Sequence, residues 1–494
     1  MEKQIPFIAL NDKDRGAPFY RQIYEAVREA ILSGEFAPGT RLPSTRALAQ
    51  SLGVSRITVV GAYEQLLAEG YLEGRTGAGT FVAKVLPDEL LLPQPVRSAA
   101  RGQKNDAALN LSPYGEKIIS MKNAARSAVE FKPFQNGLTA VEEFPFDIWS
   151  RIAARYYKNP PRSLLGYGDA CGLMRLREAV AAHLRAARGV RCAAHQVIIT
   201  SGAQQALDLT ARIFLSEKDT VLTEDPCYLE ARNLFAATGA RIFPVETDDE
   251  GFDPQKIPET VRRRARLIYV TPSHQYPLGV TLTLARRLAL LEWAHEADAW
   301  IIEDDYNSEY RYAGRPLASL QGLDKNGRVI YIGTFSKTIF PSLRLGCAVV
   351  PEKLIEVFAA ARSLMDVHSS TVEQAVLADF ISEGHFARHL RRMRRLYEER
   401  QKILAAECEK HLAGLLEIEK AEAGMHLIGW LREGADDRRI SEKAAAKNLK
   451  LAPVSDYCIE KKRRGGLILG YTAFDEKQIK KGVRVLREIL LEET

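Results

Sequence analysis

Five short apolar runs constrain this chain more than any other feature. QVIIT, TVLTED, RLIYV, WIIEDD and RVIYIG follow one another between residues 196 and 333. The pattern predicts a helix from Ala203 after the first run, one beginning near Tyr228 after the second, and one from Leu284 after the third. Strands rich in branched residues that alternate with helical stretches build a mostly parallel sheet with helices on both faces. Ligands of such sheets sit at the carboxyl ends of the strands.

At 494 residues the chain is longer than one hydrophobic core sustains, so more than one domain is expected. Its first eighty residues follow a different pattern. FYRQIYEAVREAIL spaces Ile23, Val27 and Ile31 as one helical stripe, which GEFAPG ends. PSTRALAQSLG reads as a short helix capped by Ser44, and Gly53-Val54 turns the chain into a third helix capped by Ser55. Val59, Tyr63, Leu66 and Leu67 form the apolar face of that helix, and Gly70 stops it. Two short helices around a tight glycine turn make a helix-turn-helix, and YLEGRTGAGTFV adds two strand-like pieces as a wing.

Charge alone does not select the partner of this segment. The whole chain carries +6, but residues 1–84 hold ten Lys/Arg against nine Asp/Glu, so position must carry a nucleic-acid reading. Arg56 and Thr58 lie at the start of the third helix, where backbone N–H groups favour phosphate. Arg41, Ser44 and Arg46 flank the preceding helix, and Arg75 sits where a wing tracks a nucleic-acid backbone.

Residues 85–130 contain Pro87, Pro93, Pro95 and mixed charge without periodicity, and read as a linker. The expected organisation is therefore 1–84, a linker 85–130, and a body 131–494 with a small C-terminal portion from about residue 380. The charged N-terminus and the lack of a run of about 20 apolar residues give no membrane span, and a cytoplasmic protein is expected. Six scattered cysteines without ligand spacing point to reduced thiols and to no metal site.

The polar residues of the body collect at strand ends. Ser201, Gly202, Ala203 and Gln204 follow QVIIT and open a helix, offering N–H groups to an anion. Asp304 and Tyr306 end WIIEDD, while Thr334, Ser336, Lys337 and Arg344 follow RVIYIG. An anion cradle, a carboxylate, a phenol and a lysine together suit pyridoxal 5′-phosphate. A desolvated lysine condenses with its aldehyde, and Asp304 would keep its pyridine nitrogen protonated. Tyr306 would donate to the ring oxygen, and Tyr228 would stack on the ring. Arg344, Ser336, Thr334 and the 201–204 turn would hold the phosphate.

Two resemblances extend this reading. GTRLPSTRALAQSLGVSRITVVGAYEQLLAEGYLEGRTGAGTFV resembles the winged-helix domain of the GntR family. That likeness implies DNA contacts by Arg41, Ser44, Arg46, Ser55, Arg56 and Thr58, with Gly77 and Gly79 shaping the wing. From about Phe131 onward, LLGYGDACGLMRLREAVAAHL, ITSGAQQAL, EDPCY, TPSHQYPLG, IIEDDY and SKTIFPSLRLG resemble fold-type I, class I aminotransferases. Tyr167 matches a residue that in that family reaches the partner subunit's phosphate, which implies a homodimer.

Two positions depart from the aminotransferase pattern. His274-Gln275-Tyr276-Pro277 stands where many members have Asn-Pro, which puts His274 beside the cofactor. Leu467 stands where an arginine usually takes the substrate carboxylate, with Arg463 and Arg464 nearby.

The combined layout is similar to the MocR/GabR-type transcriptional regulators. It implies a regulator that binds operator double-stranded DNA and senses an amine or amino-acid effector, or the cofactor itself, by aldimine exchange at Lys337. A working aminotransferase with an accessory DNA-binding domain, and a regulator whose pocket no longer takes the cofactor, stay open as alternatives.

Overall fold

The computed structural model describes residues 8, 10, 17–87, 110–121, 130–314, 317–418, 421–460 and 463–493. The chain divides into two compact units, Met1–Leu109 and Asn110–Thr494.

In the first unit, α1 (Phe19–Leu32), α2 (Thr45–Leu52) and α3 (Arg56–Ala68) precede a two-stranded ribbon of β1 (Leu72–Arg75) and β2 (Gly79–Val82). The caps hold orphan amides at both helix starts: Ala47 N donates to Ser44 Oγ at 3.2 Å and Thr58 N to Ser55 Oγ at 3.3 Å. Gly53 ends α2 at φ +67°, a left-handed conformation that strains residues bearing a Cβ. Ile23, Val27, Ile31, Leu48, Val59, Ala62, Tyr63 and Leu66 form the core. Leu67, expected on the buried face, is 38 % exposed, and Ala62 takes a place in the core instead. At 100° per residue Ala62, Tyr63 and Leu66 cluster around Val59, whereas Leu67 lies at the edge of that arc.

Much of the expected linker, 88–109 and 122–129, lies outside the described residues. Within the same span Pro113–Ser120 is helical, capped by Ser112 and belonging to the second unit.

The body is built on an eight-stranded sheet among the described residues. Its strands are β3 (Val197–Thr200), β4 (Thr220–Asp225), β5 (Arg241–Asp248), β6 (Gly251–Phe252), β7 (Ala265–Val270), β8 (Trp300–Asp305), β9 (Val329–Thr334) and β10 (Gly346–Val349). They run in the order β3-β10-β9-β8-β7-β4-β5-β6. The pairs β4–β5, β4–β7, β7–β8 and β8–β9 are parallel, while β10 is antiparallel to both β3 and β9. Near-continuous burial of β3, β4, β8 and β9 is what a sheet covered on both faces requires. The helices predicted from the sequence run Ala203–Phe214, Leu229–Ala237 and Leu284–Glu296.

A second lobe carries a four-stranded antiparallel sheet. It consists of β11 (Leu416–Ile418), β12 (His426–Leu431), β13 (Ala452–Pro453) and β14 (Gly466–Gly470), in the order β11-β12-β14-β13. The helices His385–Leu412, Asp437–Ala446 and Glu476–Glu492 belong to this lobe. Its strap at 454–460 is fastened to the end of β4. Asp225 Oδ1 accepts from Ile459 N at 2.9 Å, Asp225 Oδ2 accepts from Glu460 N at 3.1 Å, and Cys227 N donates to Tyr457 O at 3.0 Å.

Candidate functional site

The parallel strands place their carboxyl ends along one edge. Successive strand residues point to opposite faces, so Asp304 and Asp305 at the end of β8 have different surroundings. Asp305 takes Arg188 Nε at 2.7 Å and Tyr331 Oη at 2.8 Å. Asp304 accepts from Tyr269 Oη at 2.8 Å through Oδ2, and its buried Oδ1 has no hydrogen-bond partner among the described residues. Burial pushes the Asp304 carboxyl up to about 6, opposed by the Tyr269 hydrogen bond and by the Lys337 ammonium.

Lys337 lies three residues beyond β9. Its Nζ donates to Gly137 O at 2.8 Å, and its own carbonyl accepts from Tyr310 Oη at 3.0 Å. Gly137 has φ +77°, and a Cβ there would come within 2.8 Å of the lysine nitrogen. The chain thus presents a bare backbone to the ammonium group.

Tyr306 follows β8, and its hydroxyl is 2.9 Å from His274 Nδ1. Burial lowers His274 to about 3 and His426 to about 4, so both imidazoles are neutral at neutral pH, and the Tyr306 phenol is held protonated by desolvation. Tyr276 packs edge-on against Tyr228, Tyr306 and Tyr457, with ring centroids 5.5, 5.8 and 5.3 Å away. Tyr228 caps its helix and is half-buried.

A second cluster surrounds the turn after β3. Arg344 Nη2 donates to Ser201 O at 2.8 Å, and Gly202, at φ +90°, would place a Cβ only 3.0 Å from that nitrogen. Ser201 Oγ is 3.0 Å from Ser369 Oγ, which accepts from Arg362 Nη2 at 2.9 Å. Ala203 opens the helix and Gln204 is exposed. Ser336 N donates to Thr334 Oγ1 at 3.2 Å, and the buried Ser336 Oγ has no partner among the described residues.

The structure therefore joins Asp304, Lys337, Tyr306, His274 and Tyr228 through contacts and charge, and joins Arg344 with Ser201 and Gly202. It does not bring Tyr167 to either group: that side chain is 91 % exposed, 6.4 Å from the His368 ring. Tyr269, Gly137 and Ser369 escaped the sequence reading. The first is an ordinary strand tyrosine in RLIYV, and the other two lie in loops without a distinguishing motif.

The donor set fits pyridoxal 5′-phosphate. The unsatisfied Asp304 Oδ1 and Ser336 Oγ are buried acceptors and donors of the type that a pyridinium and a phosphate would complete.

On the first unit, Arg41, Ser44, Arg46, Ser55 and Arg56 are exposed, and Thr58 is half-buried, its hydroxyl 2.7 Å from Ser55 Oγ. Arg56 Nε reaches Thr45 Oγ1 at 3.5 Å. Arg41 packs against the wing at Gly79, while Arg75 pairs with Glu73 at 2.6 Å and stands over the Phe81 ring. Gly77 and Gly79 turn the wing at φ +74° and +112°. Ile57, missed as a candidate, is 84 % exposed beside Arg56.

A winged helix and an aminotransferase-type body in one chain define a class, a DNA-binding regulator assembled on an enzyme fold. Residues 19–82 match the bacterial regulatory proteins of the gntR family, and residues 141–453 match aminotransferase class I and II. The probable rhizopine catabolism regulatory protein MocR of Rhizobium meliloti is 42 % identical over 97 % of this chain and 95 % of its own length. The pyridoxine biosynthesis transcriptional regulator PdxR of Corynebacterium glutamicum is 31 % identical over 93 % of each chain. Among solved structures, Pyrococcus horikoshii kynurenine aminotransferase superposes with a TM-score of 0.69 at 29 % identity, covering 79 % of this chain and 97 % of that one. The chain belongs to the MocR/GabR-type transcriptional regulators.

Proposed function

We propose that this chain is a cytoplasmic, homodimeric transcription factor that holds pyridoxal 5′-phosphate and reads a small amine through it. The observation that carries the reading is the partnerless Asp304 Oδ1 in the field of the Lys337 ammonium, in a chain that also has a winged helix. When bound, the cofactor supplies an aldehyde carbon that Lys337 or a competing primary amine can occupy.

The chain's own residues do the rest. Asp304, ionised, would keep the pyridine nitrogen protonated, and Tyr306, with His274 against its hydroxyl, would donate to the ring oxygen. Tyr228 would offer its aromatic face to the cofactor. Arg344, Ser336, Thr334, Ser201 and the N–H groups at 202–204 would hold the phosphate, and the exposed Tyr167 would reach the phosphate of a second copy. Large apolar side chains left in water on the body, Leu364 at 89 % and Leu165 at 65 % exposure, support pairing of two copies. Arg41, Arg46, Arg56 and Arg75 bind operator DNA.

An amine can change DNA binding only by favouring one of two arrangements of the chain. The test adds pyridoxal phosphate to purified protein, records the visible band, and measures affinity for the DNA upstream of its own gene with and without amines. Lys337→Ala should lose the band and the amine response together. A Lys337→Ala protein that still responds to the amine would refute the reading. The presence of Lys337, Asp304 and Tyr306 favours aminotransferase turnover as a second reading, which repeated turnover of an amino donor and keto acid without operator binding would establish instead.

A further inference from the structure

A closed ring of polar contacts begins and ends on Ser201, in the turn after β3. Ser201 N donates to Gln205 Oε1 at 2.7 Å, and Gln205 Nε2 donates to Asp366 Oδ2 at 2.9 Å. Asp366 pairs through its other oxygen with Arg362, one turn earlier in the helix Ile355–Asp366. Arg362 Nη2 donates to Ser369 Oγ at 2.9 Å, and Ser369 Oγ lies 3.0 Å from Ser201 Oγ, which closes the ring. Arg344 fixes the same serine from a further side, its Nη2 donating to the Ser201 carbonyl at 2.8 Å.

The ring gives its hydroxyls a direction. Arg362 is fully buried, and burial lowers its guanidinium to about 10, so it is a cation at neutral pH. A guanidinium has no acceptor, so a lone pair of Ser369 Oγ is turned toward it. The Ser369 proton then needs an acceptor, and Ser201 Oγ is the other partner of that hydroxyl among the described residues. Donation from Ser369 to Ser201 leaves the Ser201 proton without a use inside the ring. It is available to an acceptor outside, beside the turn that opens the helix Ala203–Phe214, where free N–H groups also favour an anion. The buried cation strengthens that outward donor, because hydrogen bonds in a chain polarise one another.

We infer that Arg362 and Ser369 are positioning residues for a bound phosphate: they orient the Ser201 hydroxyl as a donor toward it and act on it only through Ser201. This rests on the cofactor reading above, in which the anion is the phosphate of pyridoxal phosphate.

The test titrates the full chain with pyridoxal 5′-phosphate and with pyridoxal, which has the aldehyde and no phosphate, and reads the half-saturating concentration for the visible band. Ser369→Ala should raise that of the phosphate ester about fivefold or more and that of pyridoxal about twofold at most. Ser369→Thr, which keeps the hydroxyl, should restore the value. Ser201→Ala should show the same selectivity, and adding Ser369→Ala to it should bring no further loss, since the relay ends on the missing hydroxyl. If Ser369→Ala weakens both aldehydes alike or weakens neither, or if the losses of the two variants multiply, the inference is overturned while the cofactor reading stands. If the unaltered protein forms no band with pyridoxal phosphate, the cofactor reading fails and this one with it.

Discussion

The Tyr269 hydroxyl donates a 2.8 Å hydrogen bond to one oxygen of Asp304 from the neighbouring strand, β7 to β8. One carboxylate oxygen is thereby fixed by the protein, and the other is buried without a hydrogen-bond partner among the described residues. A hydrogen bond to a charged group contributes about 1.5–3 kcal/mol. Tyr269→Phe should weaken pyridoxal phosphate binding roughly tenfold or more, as measured by titration of the visible band, and should raise the Asp304 pKa further because the bond that lowers it is gone.

Asp304 also sets a pH dependence. Its carboxyl titrates at about 6 in the protein, above its value in an unfolded chain near 3.9. A pyridinium pairs with the ionised form, so below about pH 6 binding must first remove a proton. Cofactor affinity should fall on acidification through this range and level off above it. The sign for stability of the cofactor-free protein is opposite, since a raised carboxyl pKa makes folding less favourable as pH rises from about 4 to 6. Equilibrium dialysis against pH, beside denaturant melts of the cofactor-free protein, checks both signs; Asp304→Asn should flatten both profiles.

Gly424 tests the His274–Tyr306 pair. It has φ +104°, and a Cβ there would lie 2.3 Å from His274 Nε2. Gly424→Ala should cost about 1–3 kcal/mol in backbone strain and repacking and displace the imidazole from Tyr306. A lowered melting temperature together with an altered visible spectrum is the expected result.

Ser55, which caps α3, and Ile57, in its first turn, separate folding from DNA recognition. Ser55→Ala removes the cap on Thr58 N and should destabilise the winged helix by about 1 kcal/mol. Ile57→Ala removes a side chain that is 84 % exposed and should leave the melting temperature unchanged. Its effect should appear as weaker operator binding, since an exposed apolar group at the start of such a helix suits a thymine methyl. Fluorescence anisotropy with operator DNA and thermal melts on both variants distinguish the two roles.

The alternation of QVIIT, TVLTED, RLIYV, WIIEDD and RVIYIG was enough to read the sheet, because period and strand length are local properties of a sequence. The caps Ser44 and Ser55 were legible for the same reason. Leu67 lies at the edge of the buried arc and faces solvent while Ala62 is buried, because an arc edge depends on what packs against it. Gly137 and Tyr269 were illegible because their roles arise from approach across 200 and 35 residues of chain, to Lys337 and Asp304. The engagement of Arg463 with the Thr247 and Asp225 carbonyls was equally hidden: a nearby arginine in sequence says nothing of where its guanidinium ends.

The strap that brings Tyr457 against Tyr276 is fastened at Asp225 through two consecutive main-chain amides, not through its own side chains. Its side chains can therefore be exchanged without loosening these two amide bonds, whereas loss of the one acid unties both together. The aromatic contact of Tyr457 with Tyr276 can be rewritten while this clasp between the lobes persists.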